Sequence, residues 1–390
     1  MDYRTAPAAA CEHATIAVAI ELSDVRWVVG IQREPSGGVS VHNLAPHDVE
    51  GLARLIERDR AREERRGRRC RVETCYEAGR DGFWLHRELE RLGYRNHVID
   101  PASIAVPQRQ RRAKTDRLDV RGLVGVLRAW LGGDRLRCRM VVVPSVAEED
   151  ARRTDRERER LLKERTAHAN RIMTLCALHG IRGLKPLRRD RRAQLAGAVT
   201  AAQTPLPARA RAELMREVER LELVLCQLAE VERARDRAVH EPPPDDAGAA
   251  KAKELVRFAG IAETTGSRLG HEVFYRCFAN RRQVASFVGL TPTPFASGRL
   301  RREQGITKAG NARARATMIE LAHLWVRHQP DSALTRWFLA RIAPATGPAR
   351  RQAAGRIKRI AIVALARKLL VALWRYLETG VVPEGAVLKP

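Results

Sequence analysis

The chain has 390 residues, enough for two or three domains with cores of their own. Lys and Arg number 72 against 46 Asp and Glu, for a formal charge of +26 and a pI near 11.0. The seven cysteines are scattered without a CxxC pair, which excludes a disulfide framework and a zinc site and points to a reducing compartment. A GC-rich genome would account for Arg over Lys, but not for the excess over acids. Guanidinium forks match phosphate geometry, so nucleic acid is the leading partner class. No basic region precedes an apolar core at the N-terminus, and Arg367, Lys368 and Arg375 interrupt the apolar stretch 360–377. Neither a signal peptide nor a membrane span is expected.

Residues 1–14 read as a tail. Residues 15–21 read as a strand ending on Glu21, and 25–32 as a second strand after a turn at Ser23 and Asp24. A short third strand covers 39–42. Val49, Leu52, Leu55 and Ile56 mark one face of a helix over 46–60. A fourth strand, 69–76, is closed by Glu77, Ala78 and Gly79; a helix over 84–92 and a strand over 96–99 follow. Thr115 reads as the N-cap of the next helix, whose apolar positions are Leu118, Leu123, Val126, Leu127 and Trp130. Asp116 and Asp119, three residues apart, share a face of its first turn, where acids suit the helix dipole. The run Arg109, Arg111, Arg112 and Lys114 stands directly before them.

This order of elements over residues 15–144 is that of a ribonuclease-H-like α/β fold. The fold brings an acid from its first strand, one from its fourth and others from a later helix to one edge of the sheet. Here those places hold Glu21, Glu77, Asp116 and Asp119. Four converging carboxylates repel unless a cation neutralises them, and Mg²⁺ suits an all-oxygen donor set. Such a site supports metal-assisted phosphodiester chemistry, with nearby Arg and Lys seating the phosphates. Glu73 competes with Glu77, since an offset of four puts both on the same strand face.

Residues 145–240 change character. A long charged helix is expected over 148–179, with Leu161, His168, Ile172 and Leu175 as a thin apolar stripe. A second helix, 208–239, carries Leu214, Val218, Leu221, Leu225 and Leu228 at heptad spacing. Together they read as a coiled-coil arm able to build a homo-oligomer, dimer or tetramer. The Pro-rich stretch 241–250 reads as a linker. A mainly helical unit follows over 251–380, opening like a helix-hairpin-helix at Gly260 and Gly266. It continues through a loop around Ser297 and Gly298 to helices over 312–327, 332–342 and 355–377. Residues 381–390 read as a second tail.

Three phrases carry a family resemblance. They are Tyr76 through Trp84, Ala113 through Asp119, and Gly289-Leu290-Thr291-Pro292 leading through Ser297 and Gly298 to Gly305 through Asn311. In this order they resemble the transposases of the insertion sequence 110 family, over about residues 15–380. The resemblance implies a RuvC-like domain with a DEDD acid set, a coiled-coil arm and a C-terminal domain with a serine nucleophile. Carried over, the acids fall on Glu21, Glu77, Asp116 and Asp119, and the nucleophile on Ser297. The first acid is usually aspartate, and Glu21 reaches about one methylene further. The resemblance also implies recombination of element and target DNA, a structured guide RNA, and the bacterial cytoplasm near the nucleoid.

From the residues alone, Ser297 beside Gly298 is sterically open. Arg299, Arg301, Arg302 and Lys308 lie near enough in sequence to hold a scissile phosphate. Two other readings compete. A two-metal endonuclease or junction resolvase would use the acids and leave no protein–DNA adduct. A catalytically inactive nucleic-acid-binding protein would bind in a salt-sensitive way and cut nothing.

Overall fold

A computed structural model describes residues 13–33, 37–104, 115–297, 300–343 and 351–389, with backbone alone at 13, 295–297, 300–304 and 351–354. Arg109, Arg111, Arg112, Lys114, Gly298 and Arg299 lie outside the described residues, as does most of the 1–14 stretch. The chain divides into two compact units, Met1–Val143 and Pro144–Pro390.

The first unit is α/β. Its strands are β1 (His13–Glu21), β2 (Trp27–Gln32), β3 (Ser40–Leu44), β4 (Arg69–Glu77) and β5 (Arg95–Ile99). They form one sheet in the order β3-β2-β1-β4-β5. The pairs β1–β2 and β2–β3 are antiparallel, while β1–β4 and β4–β5 are parallel. Helices α1 (Val49–Glu64), α2 (Trp84–Arg91) and α3 (Asp116–Leu131) cover it.

Strand alternation in β1 assigns the two faces. Ile16, Val18 and Ile20 pack with Leu52 and Ile56 of α1 and with Leu85 and Leu89 of α2. Ala17 and Ala19 face the other way, against Val120, Val124 and Leu127 of α3. Small side chains let α3 come close. A Cβ on Gly30 would already stand 3.3 Å from Val120. Each large apolar side chain of α3 buried here contributes about 1.5–3 kcal/mol. Leu118, expected on this apolar face, is instead 48% exposed, because the first turn projects beyond the sheet.

The second unit is helical apart from one hairpin. The long helix expected over 148–179 is broken at Arg152 into α4 (Val146–Ala151) and α5 (Arg153–Leu178). Ser145 and Glu148 form a reciprocal capping box that starts α4 separately. After α6 (Arg191–Ala196), α7 (Ala208–His240) returns antiparallel to α5. Arg158 reaches Glu232 at 2.7 Å, and His168 reaches Glu217 at 2.8 Å. Leu214, Val218, Leu221 and Leu228 are buried, but Val224 takes the place expected for Leu225, which is only partly covered. A straight α-helix drifts about 20° per heptad, which moves the seam one residue.

Helices α8 (Ala247–Val256), α9 (Glu263–Leu269), α10 (Arg281–Val288), α11 (Ala312–His328), α12 (Ala333–Ile342) and α13 (Arg351–Thr379) enclose the largest core, with Trp325, Phe258 and Leu369 inside. A π-helical turn at Gly270–Phe274 continues α9. Gly260 takes φ +90° in the turn before α9, as a hairpin requires. Gly266 serves packing instead: a Cβ there would meet Val256 at 2.6 Å, so it lets α9 lie directly on α8. Of the 381–390 stretch, expected as a tail, the described residues 381–389 are docked. The Gln329 amide donates to the Val387 carbonyl at 2.8 Å, and the Ala333 N–H to the Glu384 carbonyl at 2.9 Å.

Candidate acid face and serine hairpin

The β1–β4 register pairs Ile20 with Tyr76, so Glu21 and Glu77, the next residues, end side by side on adjacent parallel strands. Both share the strand parity of Ala19 and Cys75, which face α3. Helix α3 runs antiparallel to β1. Val120 lies against Gly30, and eight residues further along α3 the Arg128 guanidinium donates to the Gln32 carbonyl at 2.6 Å. Its N-terminus therefore lies at the strand ends that carry Glu21 and Glu77. Thr115 caps it, accepting from the Leu118 N–H at 3.3 Å. Asp116 accepts from Arg26, just ahead of β2, at 2.9 Å.

All four acids thus belong to one face and one end of the sheet. Their oxygen donors suit a hard cation such as Mg²⁺. Among the described residues, however, no three His, Cys, Asp or Glu side chains are gathered closely enough to hold a metal ion. Arg26 occupies Asp116 in this arrangement. Sequence reading missed Arg26, and no local pattern marked it, since its partner is 90 residues away.

The structure separates Glu73 from Glu77. Glu73 is 1% exposed. It is bonded to His97 Nε2 at 2.6 Å and ion-paired with Arg71 and Arg95. It is a satisfied interior acid within the sheet. Glu77 stands at the open strand end. The loop after it is pinned from behind, where the buried Tyr76 hydroxyl donates to the Gly82 carbonyl at 3.1 Å. Arg80 in the same loop pairs with Asp24 of the β1–β2 turn. The phrase Tyr76–Trp84 thus fixes the loops that frame this end of the sheet.

In the second unit, Ser297 ends β6 (Pro292–Ser297), and β7 (Leu300–Ile306) returns antiparallel to it. The expected loop is therefore a two-stranded hairpin with Ser297 at its tip, paired with Leu300. Arg301 and Arg302 lie on β7 opposite Ala296 and Phe295. Lys308 is exposed beyond the end of β7, in a left-handed conformation with φ 55°.

The rest of the third phrase builds the hairpin's foot. Gly289 ends α10 at φ +73°, where a Cβ would meet the Ala309 carbonyl at 2.6 Å. Arg315 donates to the carbonyls of Val288 at 3.2 Å and Lys308 at 2.9 Å. Asn311 caps α11 through the Ala314 N–H at 3.1 Å, and its amide donates to the buried Glu272 at 2.8 Å.

A buried polar cluster beside this foot carried no sequence motif. The Ser267 hydroxyl donates to Asp155 at 2.7 Å, His271 Nδ1 lies 3.2 Å from that hydroxyl, and His271 Nε2 lies 3.2 Å from Asp246. Arg152 donates to the His271 carbonyl at 3.1 Å, and Arg156 pairs with Glu272 at 3.4 Å. Burial alone would push the imidazole down, but hydrogen bonds and charge from Asp155 and Asp246 outweigh it and raise the pKa to about 9. Ser267 is 1% exposed, so this serine, histidine and aspartate set is an internal clasp between α5 and the helices behind it.

A sequence profile described as the transposase IS116/IS110/IS902 family matches residues 252–336, the segment holding the hairpin and its foot. A Sinorhizobium fredii (strain NGR234) protein named transposase y4rJ is 44% identical over 383 residues, covering 96% of this chain and 94% of its own. The chain belongs to the IS116/IS110/IS902 transposase family. A second family relative, a Pseudomonas aeruginosa protein named as a family 20 transposase, is 28% identical over 347 residues, 86% of this chain and 93% of its own. Across the described residues, no helix of this family member is long and apolar enough to cross a membrane.

Proposed function

We propose that this family member is a DNA transposase whose first unit is ribonuclease-H-like and whose second unit supplies a serine nucleophile. The reading is supported by Glu21 and Glu77 ending adjacent parallel strands of the β3-β2-β1-β4-β5 sheet, with the first turn of α3, which carries Asp116 and Asp119, at the same end. Mg²⁺ held by these four carboxylates would supply Lewis acidity to a phosphodiester. For Asp116 to join them, Arg26 must release it. The pair is half-exposed on both sides, and such pairs contribute about 0–1 kcal/mol, so the release is cheap.

Ser297 then attacks the scissile phosphorus. A bond forms from its Oγ to phosphorus, the bond to the leaving nucleoside oxygen breaks, and the serine proton ends on that oxygen. The phosphodiester persists as a serine–DNA link, which keeps the strand joinable. Arg299, Arg301, Arg302 and Lys308, close to Ser297 in sequence, would hold the phosphate, and Arg109, Arg111, Arg112 and Lys114, just ahead of Asp116 in sequence, would add charge for DNA. A structured RNA guide that reads the target follows from the family resemblance; pairing would then carry the sequence specificity. Self-association through the α5–α7 arm is supported by Met173, Leu178 and Leu223, which expose 43%, 73% and 59% of their surface.

The test is a denaturing gel for a covalent protein–DNA species with Mg²⁺, run beside a cleavage assay. Wild type should give both. Ser297→Ala should lose the adduct and strand exchange while binding DNA normally. An adduct persisting in Ser297→Ala would sink the nucleophile assignment, and cleavage without adduct in wild type would favour the resolvase reading.

A further inference from the structure

The second unit carries a groove of about 960 Å³ along one face of α13, closed by the first turn of α10, the start of α12 and residues 381–384. Arg281 and Arg282 stand on one wall, and Arg367, Lys368 and Arg375 on α13 form another. Among the described residues, none of these five cations has a carboxylate within ion-pair distance, whereas arginines elsewhere in this unit are widely paired. The single acid of the lining, Glu384, is already held by Arg336 at 3.1 Å. The floor between the cations is apolar, formed by Leu334, Val371, Ala372 and Pro383. None of these residues belongs to the acid face or to the Ser297 hairpin.

The spacing has a direction. Arg367 and Lys368 lie about two helical turns from Arg375, roughly 10–12 Å along α13 at 1.5 Å per residue. Val371 and Ala372 fill the interval on the same face. Lys368 is also held 4.7 Å over the ring of Trp337, which orients its ammonium. Two anchors with an apolar stretch between them suit a polyanion whose charges alternate with apolar surface. A nucleic-acid strand has that character: phosphates at intervals, with sugars and bases between.

The groove's volume takes a few nucleotides of one strand rather than the girth of a duplex. Its side chains offer no hydroxyl or amide that would read a base edge or a ribose 2′-hydroxyl. We propose that this groove binds a single deoxyribonucleotide strand without reading its sequence, as charged grooves tracking a backbone do. It rests on the DNA-handling reading above and gives that reading a place to hold an opened strand.

The experiment is fluorescence anisotropy with the full chain and a labelled oligo-thymidine, in EDTA so that no strand is cut, across a salt series. Each phosphate contact on single-stranded nucleic acid contributes about 0.7 to the slope of log K against log salt. A variant with Arg367→Ala, Lys368→Ala and Arg375→Ala should bind more weakly, with a slope shallower by about 2. A second variant on another helix, Arg281→Ala with Arg282→Ala, should lose about 1.4 and guards against misfolding of the first. Oligo-uridine and a duplex of equal length should change less. Slopes for oligo-thymidine unchanged in both variants would overturn the proposal. So would an equal or larger loss for oligo-uridine or duplex, or displacement of oligo-thymidine from wild type, but not from the variants, by poly-glutamate at matched charge. Because the readout is binding alone, its failure leaves the adduct and cleavage results untouched.

Discussion

The His271 clasp gives a pH dependence whose size follows from its surroundings. His271 is 6% exposed, and Asp155 and Asp246 raise its pKa from the ordinary 6.5 to about 9. A group whose pKa is raised on folding stabilises fully below its unfolded pKa and loses that contribution as pH climbs through the folded one. Stability should therefore fall between pH 6.5 and about 9, by about 3 kcal/mol at 1.36 kcal/mol per pH unit. The perturbation is His271→Gln, which keeps a donor but removes the charge. It leaves the buried Asp155 and the partly exposed Asp246 without their cation and should cost about 3 kcal/mol at pH 6. The assay is urea unfolding of wild type and variant at pH 6 and pH 9.5, followed by far-UV circular dichroism. The gap between the two proteins should shrink by about 3 kcal/mol at the higher pH. Arg152, Arg156 and Glu272 also face the clasp, but both proteins retain them, so the difference isolates the imidazole. A gap that stays constant from pH 6 to 9.5 would refute the charged clasp.

Other outcomes follow from particular side chains. Glu73→Gln should lower stability by about 1–3 kcal/mol through its severed buried bonds and leave Mg²⁺-dependent cleavage intact, while Glu77→Gln should abolish that cleavage; thermal melting beside a cleavage assay separates them. Gly289→Ala should cost at least about 1–3 kcal/mol and loosen the hairpin foot, because φ +73° and the Ala309 carbonyl both oppose a Cβ; faster amide exchange at Thr307 would report it. Leu223→Glu should lower the sedimenting mass if the arm self-associates, and an unchanged mass would remove the arm from the assembly.

The first unit was largely legible because its signals are local. Period-two alternation, the Ser23–Asp24 turn and Thr115 ahead of an apolar helix each act within a few residues. Glu73 and Glu77 could not be separated by periodicity, since an even offset keeps both on one face. Only the cross-strand partners His97 and Arg95 showed which acid is consumed internally. Leu118 misled because its spacing fits the helix face, while the end of the sheet falls short of it. The strand that carries Ser297 has no local signal, because Gly289, Pro292 and Pro294 obscure it and its partner β7 supplies the pairing. The capping box at Ser145 and Glu148 was present in the sequence but hidden inside a run of good helix formers. The clasp at His271 joins residues more than 100 positions apart, and nothing local announces it.

If Ser297 is the nucleophile and the acid face is needed for cutting, as proposed, the cut strand must be linked to Ser297. The most direct measurement is mass spectrometry of the protease-digested adduct formed with wild type, Mg²⁺ and an element-end duplex. A nucleotide phosphodiester should appear on the peptide containing Ser297 and be absent when Glu77→Gln or Asp119→Asn replaces wild type. A linkage on any other residue, or cut DNA with no linked peptide, would contradict it.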